Sequence, residues 1–303
     1  MSAVLDHNSH GAKSRAAAIS IISNASLIVF KLVIGLMSGS ISIMSEALHS
    51  GSDLVASVIA FFSVRQSAKP ADDSHRYGHE KMENVSGVLE ALLILVAAVV
   101  IIVEGVHKII DGVELEHVWL GVAVMLVSAI VNLVVSRLVL DPVARATDSA
   151  ALEADAAHLM TDVYTSLGVA FGLTLVQITG YALFDPIAAI TVACLIIVTA
   201  FRLIRNSTRI LLDATLPADE LELIRKCVAD HRGDLIIGYH KLRARQAGSR
   251  RHIDLHIVVD DAMTVGEAHD VAEHIQRDIQ ACVPNSDVLV HVEPAEHDRE
   301  DGS

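Results

Sequence analysis

Six long runs of mostly apolar residues dominate the first 206 positions of the chain. They cover residues 16–37, 41–64, 85–106, 118–140, 152–178 and 186–203. A helix that spans a membrane needs about 20 mostly apolar residues, so each run is long enough to be one. The pattern therefore predicts a helical membrane domain of six transmembrane helices over 16–206, preceded by an N-terminal tail at 1–15.

After residue 206 the long apolar runs stop, and shorter periodic segments replace them. Helical periodicity covers 217–231 and 265–282, and strand-like alternation covers 235–246, 252–259 and 287–292. The order α-β-β-α-β predicts a small α+β domain, ferredoxin-like but without the first strand. We place this domain at 207–295 and an acidic tail at 296–303.

Two of the apolar runs contain the same polar pair, a histidine followed four residues later by an aspartate. The pairs are His49 with Asp53 and His158 with Asp162. Residues four apart share one face of a helix, so two adjacent helices would bring two imidazoles and two carboxylates together. That is a tetrahedral ligand set for Zn²⁺ or a similar cation. Ionisable groups at membrane depth cost about 2.5–3.5 kcal/mol each, which favours a functional role over polar contacts between helices.

Composition and motifs exclude several classes of function. The net charge of −14 argues against nucleic-acid binding and is compatible with cations as ligands. The three cysteines have no C-x-x-C spacing, so neither a disulfide framework nor a thiolate zinc finger is indicated. The sequence contains neither the phosphate-binding motif of ATPases nor the H-E-x-x-H motif of metal hydrolases.

Lysine and arginine residues lie mainly in alternate connections between the apolar runs. Lys13 and Arg15 precede the first run, and Arg202, Arg205 and Arg209 accompany or follow the end of the last. Such residues are enriched on the cytoplasmic side of membrane proteins. We therefore expect both termini to be cytoplasmic.

Several separated stretches, in order, resemble the cation diffusion facilitator family, and the resemblance covers nearly the whole chain. They are the two H-x-x-x-D pairs, the loop at 69–81, the strand at 239–248 and the ending at 290–294. The sequence is most similar to bacterial zinc and iron exporters. The resemblance implies a homodimer in the inner (cytoplasmic) membrane, without an organic cofactor, that exchanges a cytoplasmic divalent cation for protons. Imidazole and carboxylate bind metal only when deprotonated, so protons and metal would compete at the site.

The resemblance also assigns three further groups of residues. A second metal site in the loop is implied for Asp72, His75 and His79, with a solvated polar loop as the alternative. A two-metal regulatory cluster in the soluble domain is implied for His240, His256, His269, His291 and Glu293. The alternative for that cluster is a chance scatter of surface histidines. Glu293 occupies the position at which close zinc exporters have aspartate. A charge pair that interlocks the dimer is implied for Lys81 and Asp213. The alternative is that Lys81 is a snorkelling lysine and Asp213 a carboxylate at a helix end.

Six other histidines are interpreted as surface residues, with His252 as an outer ligand at most: His7, His10, His231, His252, His274 and His297. The leading hypothesis is proton-coupled export of Zn²⁺ by alternating access through a His₂Asp₂ site. An iron, manganese, cobalt or cadmium exporter is the alternative within the family. Histidine at position 49 favours zinc, because imidazole suits Zn²⁺ better than Mn²⁺. A metal-dependent intramembrane enzyme and a metal sensor are the alternatives from other classes.

Overall fold

The computed structural model describes residues 2–38, 41–111, 118–181 and 183–295. The chain divides into two compact units, one ending at Thr208 and the other starting at Arg209. The helices of the first unit are α1 (Ser2–Ser38), α2 (Ile41–Ser67), α3 (Met82–Asp111), α4 (Val118–Val135), α5 (Asp141–Thr147), α6 (Ala150–Thr179) and α7 (Phe184–Leu211). The segment predicted as an N-terminal tail is helical from Ser2 and continuous with the first apolar run. The predicted acidic tail at 296–303 lies outside the described residues.

Five helical stretches of the described chain are long and apolar enough to cross a membrane. They are Gly11–Met37, Met82–Ile110, Trp119–Thr147, Ala150–Val176 and Pro186–Leu211. Helix α2 is outside this set, but its 27 residues also exceed the about 20 that a span requires. Large apolar side chains such as Phe62 and Leu195 are exposed, as expected where a helix faces lipid.

The fourth apolar run is not one regular α-helix. Residues Ser136–Leu140 form a π-helical segment, closed by a hydrogen bond from the Asp141 backbone N–H to the Ser136 carbonyl. Helix α5 continues directly from this segment and ends at Thr147, followed by the cap residue Asp148, whose φ is 46°. The Ser149 side chain then caps α6 by accepting a hydrogen bond from the Leu152 backbone N–H. The fourth run therefore passes into α6 through a tight, capped connection.

A buried carboxylate connects four of the helices. Lys13 of α1 donates a hydrogen bond to Glu83 Oε1 at 2.8 Å, and both side chains are only 2% exposed. Ser67, the last residue of α2, donates to the same oxygen at 2.9 Å. Ser149, the cap of α6, donates to Glu83 Oε2. Glu83 lies at the start of α3, so it connects that end to Lys13 inside α1, to the last residue of α2 and to the cap of α6.

The second unit contains two helices and a three-stranded sheet. Its elements are α8 (Ala218–Ala229), β1 (Gly238–Ala247), β2 (Arg250–Val259), α9 (Val265–Cys282) and β3 (Ser286–Pro294). The sheet order is β1-β2-β3, with β1 antiparallel and β3 parallel to β2. The α-β-β-α-β order predicted from the sequence is confirmed.

The two faces of this sheet have different environments. Ile253 and Ile257 of β2 are buried in a core with Ile224 of α8 and Ile275 of α9. Successive residues of a strand point to opposite faces, so His256 lies on the face away from both helices. The helices therefore cover one face of the sheet and leave the histidine-bearing face uncovered by α8 and α9.

A bulge in β1 places His240 beside His256 and Ala244 beside Ile253. The pairing with β2 shifts between His240 and Arg243, and Lys241 within the shift has a φ of 49°. A bulge places one extra residue in one strand and re-aims its neighbours. As a result His240 pairs directly with His256, while Ala244 pairs with Ile253.

We predict that Lys13 and Glu83 stabilise the helical unit as a coupled pair. Lys13→Met or Glu83→Gln alone should cost about 3–5 kcal/mol, because each leaves a buried charge without its partner. The double variant should lose less than the sum of the single losses. Thermal unfolding of the full chain in detergent measures both effects.

Arg15→Met provides the matched control, because Arg15 is exposed on the same helix. Its effect should stay within about 0.5 kcal/mol. Strictly additive losses in the Lys13 and Glu83 variants would show that the two side chains do not act as a pair.

Candidate metal centres

The first candidate centre lies between α2 and α6. Ligand atoms of Asp53, His158 and Asp162 lie within 4.8 Å of one another. His158 Nε2 is 3.3 Å from Asp53 Oδ1, and these two residues are 4% and 6% exposed. A tetrahedral zinc ion with bonds of about 2.0–2.1 Å separates its ligand atoms by about 3.3 Å. The three side chains are therefore close to the spacing that a bound Zn²⁺ requires.

His49 is the fourth ligand predicted from the sequence. It occupies a position on α2 one turn before Asp53, so the backbone places both on one side of that helix. Its side chain lies outside the described residues. The complete His₂Asp₂ set therefore stays a prediction, of which the structure brings three members together.

Neighbouring helices add polar groups around these ligands. Asn132 of α4 donates a hydrogen bond to Asp162 Oδ2 at 3.4 Å. Ser57, one turn after Asp53, donates to Asp155 Oδ1 at 3.0 Å. Asn132 was not among the site residues predicted from the sequence. The available signal was a lone carboxamide in the fourth apolar run, where polar side chains are costly.

Several buried polar atoms near this centre have no hydrogen-bond partner among the described residues. They include His158 Nδ1, Asn132 Oδ1, Asp155 Oδ2 and both carboxylate oxygens of Glu90 on α3. Most buried polar groups in proteins are paired, because an unpaired one costs free energy. Their concentration around Asp53 and His158 favours a site whose groups are completed by protons, water or a cation.

A second candidate centre lies in the loop between α2 and α3. Asp72 approaches His75 Nδ1 at 3.5 Å and His79 Nε2 at 3.4 Å, through different carboxylate oxygens. Hydrogen bonds from the Ser74 hydroxyl and the His75 backbone N–H lower the pKa of the exposed Asp72 carboxyl to about 2. Asp72 is therefore ionised at neutral pH, as a metal ligand must be.

A third candidate centre lies on the sheet face that the helices leave uncovered. His240 Nε2 is 2.8 Å from Glu293 Oε2, and His256 Nδ1 is 2.6 Å from Glu293 Oε1. His291 Nε2 is 3.7 Å from the same Oε1, and its ring lies 4.6 Å from that of His256. Burial alone would raise the pKa of Glu293, but hydrogen bonds from His256 and His240 outweigh it and leave this pKa lowered. A charged carboxylate among imidazoles is a ligand set for Zn²⁺.

Three further predicted residues, His269, Lys81 and Asp213, are not members of these groups. His269 is 68% exposed and 3.6 Å from Glu273, and it lies on α9, which packs on the face of the sheet opposite His256. Its membership of the cluster stays a prediction. Lys81 belongs to the first unit and Asp213 to the second, where Asp213 accepts a hydrogen bond from Arg245 at 2.9 Å. The dimer interlock also stays a prediction.

Both units match known protein families. Residues 17–212 match the cation efflux transmembrane domain, and residues 216–295 match the cytoplasmic domain of cation efflux proteins. The cation-efflux pump FieF of Shewanella oneidensis is 31% identical over 277 residues, which is 91% of this chain and 92% of that pump. An uncharacterized transporter of Synechocystis sp. is 35% identical over 260 residues, which is 86% of this chain and 83% of that protein.

Two solved structures resemble a smaller part of the chain. The metal-bound C-terminal domain of the CzcD transporter from Thermotoga maritima is 28% identical and covers 26% of this chain and 94% of its own, with a TM-score of 0.24. The zinc form of the candidate zinc transporter CzrB is 32% identical and covers 27% of this chain and 92% of its own, with a TM-score of 0.26. The two family matches and the relatives that align along most of the chain place it in one class. This protein belongs to the cation diffusion facilitator family of multi-pass membrane transporters that export metal cations.

Proposed function

We propose that this transporter exports Zn²⁺ from the cytoplasm through a site formed by His49, Asp53, His158 and Asp162. The observation that carries the proposal is the convergence of an imidazole and two carboxylates, within 4.8 Å, from two helices of the membrane unit. Nitrogen and carboxylate ligands in tetrahedral number suit Zn²⁺ better than the larger, oxygen-preferring cations. Fe²⁺, Co²⁺, Mn²⁺ and Cd²⁺ are the competing substrates.

We further propose that the export is coupled to proton entry at the same atoms. A proton held between His158 Nε2 and Asp53 Oδ1, which are 3.3 Å apart, must leave before both atoms can bind a cation. When the cation is released on the outer side, the same atoms take up protons. Alternating access of this site to the two sides of the membrane then lets the inward movement of protons drive the outward movement of the cation.

The distribution of charged residues supports an orientation in the inner membrane with both termini cytoplasmic. The match of residues 216–295 to a cytoplasmic domain agrees with that orientation and supports a homodimer. We propose that the cluster of His240, His256 and Glu293 regulates transport, because ions that cross the membrane need not pass through it. The loop group around Asp72 is a further candidate for metal binding on that side.

Asp162→Asn should lower the rate of Zn²⁺ transport at least about 10-fold, since loss of even an outer metal contact commonly costs that much. The substitution keeps the shape of the side chain and removes its charge. Proteoliposomes that hold a zinc indicator, with and without a proton gradient, measure the rate.

Glu153→Gln is the matched control, since Glu153 is an exposed carboxylate on the same helix. Its transport should stay close to the wild-type rate. Wild-type transport by Asp162→Asn would place the site elsewhere, and transport that ignores the proton gradient would exclude the coupling.

His49→Asp should admit Cd²⁺ alongside Zn²⁺, because a carboxylate in place of an imidazole changes the ligand set that discriminates between cations. The ratio of Zn²⁺ to Cd²⁺ uptake in the same vesicles measures selectivity. Val55→Ala, at an exposed position of α2, should keep the wild-type ratio. An unchanged ratio in His49→Asp would show that position 49 does not set selectivity.

The combined variant His240→Ala and Glu293→Gln should abolish activation of transport by cytoplasmic Zn²⁺ beyond saturation of the transport site. The reason is that two groups lying 2.8 Å apart in the regulatory cluster are lost together. Transport rate against cytoplasmic Zn²⁺ concentration is the measurement. Arg243→Gln, exposed on the same strand, is the control. Activation that survives in the combined variant would exclude regulation by this cluster.

A further inference from the structure

A fourth group of metal-binding side chains lies between the two helices of the second unit. On α9, His274, Asp278 and Cys282 follow one another at intervals of four, so they share one face of the helix. Cys227 of α8 and His231, in the turn directly after α8, have the same spacing. These two rows of side chains, one of His274, Asp278 and Cys282 and the other of Cys227 and His231, form two stripes that face each other.

The contacts between the stripes are close. His231 Nε2 is 2.9 Å from Asp278 Oδ2, and His274 Nε2 is 3.4 Å from the same oxygen. The two imidazole rings are 5.2 Å apart with an interplanar angle of 78°. One turn further along, Cys282 Sγ lies 3.0 Å from Cys227 Sγ. Later residues of one stripe meet earlier residues of the other, so the two stripes run antiparallel.

We propose that His231, His274 and Asp278 form a further binding site for a divalent cation of intermediate softness such as Zn²⁺. Their ligand atoms lie within 4.8 Å of one another, as they do in the group formed by Asp53, His158 and Asp162. The contacts of 2.9 and 3.4 Å bracket the about 3.3 Å between neighbouring ligands of a tetrahedral zinc ion. Three protein ligands leave a fourth position for water.

This site is separate from the cluster around Glu293. Helices α8 and α9 pack on the core face of the sheet through Ile224 and Ile275, whereas His256 lies on the opposite face. The apolar core therefore separates the two groups, and neither can complete the ligand set of the other. The proposal thus goes beyond the transport function and does not depend on which cation is transported.

Exposure and charge at the site favour a cation that enters from solution. The side chains of His231, Asp278 and His274 are 18%, 39% and 50% exposed, so the group is partly covered but reachable. Burial, followed by the hydrogen bond with Cys282, raises the pKa of the Cys227 thiol. Both effects disfavour a thiolate at Cys227 in the metal-free protein, and the group whose ligand atoms lie within 4.8 Å of one another consists of His231, His274 and Asp278.

Bound Zn²⁺ would join the end of α8 to the middle of α9. The test measures zinc bound per chain, by equilibrium dialysis of the full-length protein in detergent followed by elemental analysis. His231→Ala and His274→Ala should each bind one Zn²⁺ fewer than the wild type at the same free concentration. They should also show a smaller rise in Tm when Zn²⁺ is added.

Asp270→Asn removes an exposed carboxylate one turn before His274 and should bind as much Zn²⁺ as the wild type. Asp278→Asn keeps the side-chain shape and should lose the ion as the histidine variants do, which separates ligand loss from misfolding. Equal stoichiometry and affinity in the wild type and in both histidine variants would overturn the proposal. Sulfur ligation of the ion that these variants lose, detected by X-ray absorption at the zinc edge, would overturn the His₂Asp ligand set.

Discussion

A polar side chain buried among membrane helices costs free energy unless other groups of the bundle complete its hydrogen bonds and balance its charge. Glu83 meets this condition through Lys13, Ser67 and Ser149, which come from three other helices. The carboxylate therefore links α1, α2, α3 and α6 through its two oxygens.

The centre around Asp53 and His158 has the opposite character. Its groups touch one another, yet His158 Nδ1 and Asn132 Oδ1 have no hydrogen-bond partner among the described residues. A group of side chains whose hydrogen bonds are incomplete is suited to exchange protons for a cation, because neither the protonated nor the metal-bound form is held permanently by the surrounding protein. Complete pairing of Glu83 and incomplete pairing around His158 thus distinguish a structural contact from the proposed transport site within one bundle.

Features that depend on local sequence were predictable. Apolar run length indicated the helices, and spacing by four placed His158 with Asp162 on one face. Features that depend on which helices pack together were not. Nothing in the sequence near Asn132 shows that it reaches Asp162, and His231 and His274 were interpreted as surface residues although both meet Asp278. That interpretation was incomplete, because two helices distant in sequence supply the partners. Regular periodicity likewise could not reveal the π segment at Ser136–Leu140.

The π segment at Ser136–Leu140 rotates the side chains before it, about the helix axis, relative to those after it. A π turn holds one residue more than an α turn, and one residue of an α-helix corresponds to a rotation of about 100°. Removing a single residue between Ser136 and Leu140 would restore an unbroken α-helix. It would also turn Asn132 away from α6 if Leu140 and Ala144 kept their buried places. The number of residues in this crossing therefore cannot change by even one without rotating Asn132. Homologous chains that align here without a gap should have the same π segment.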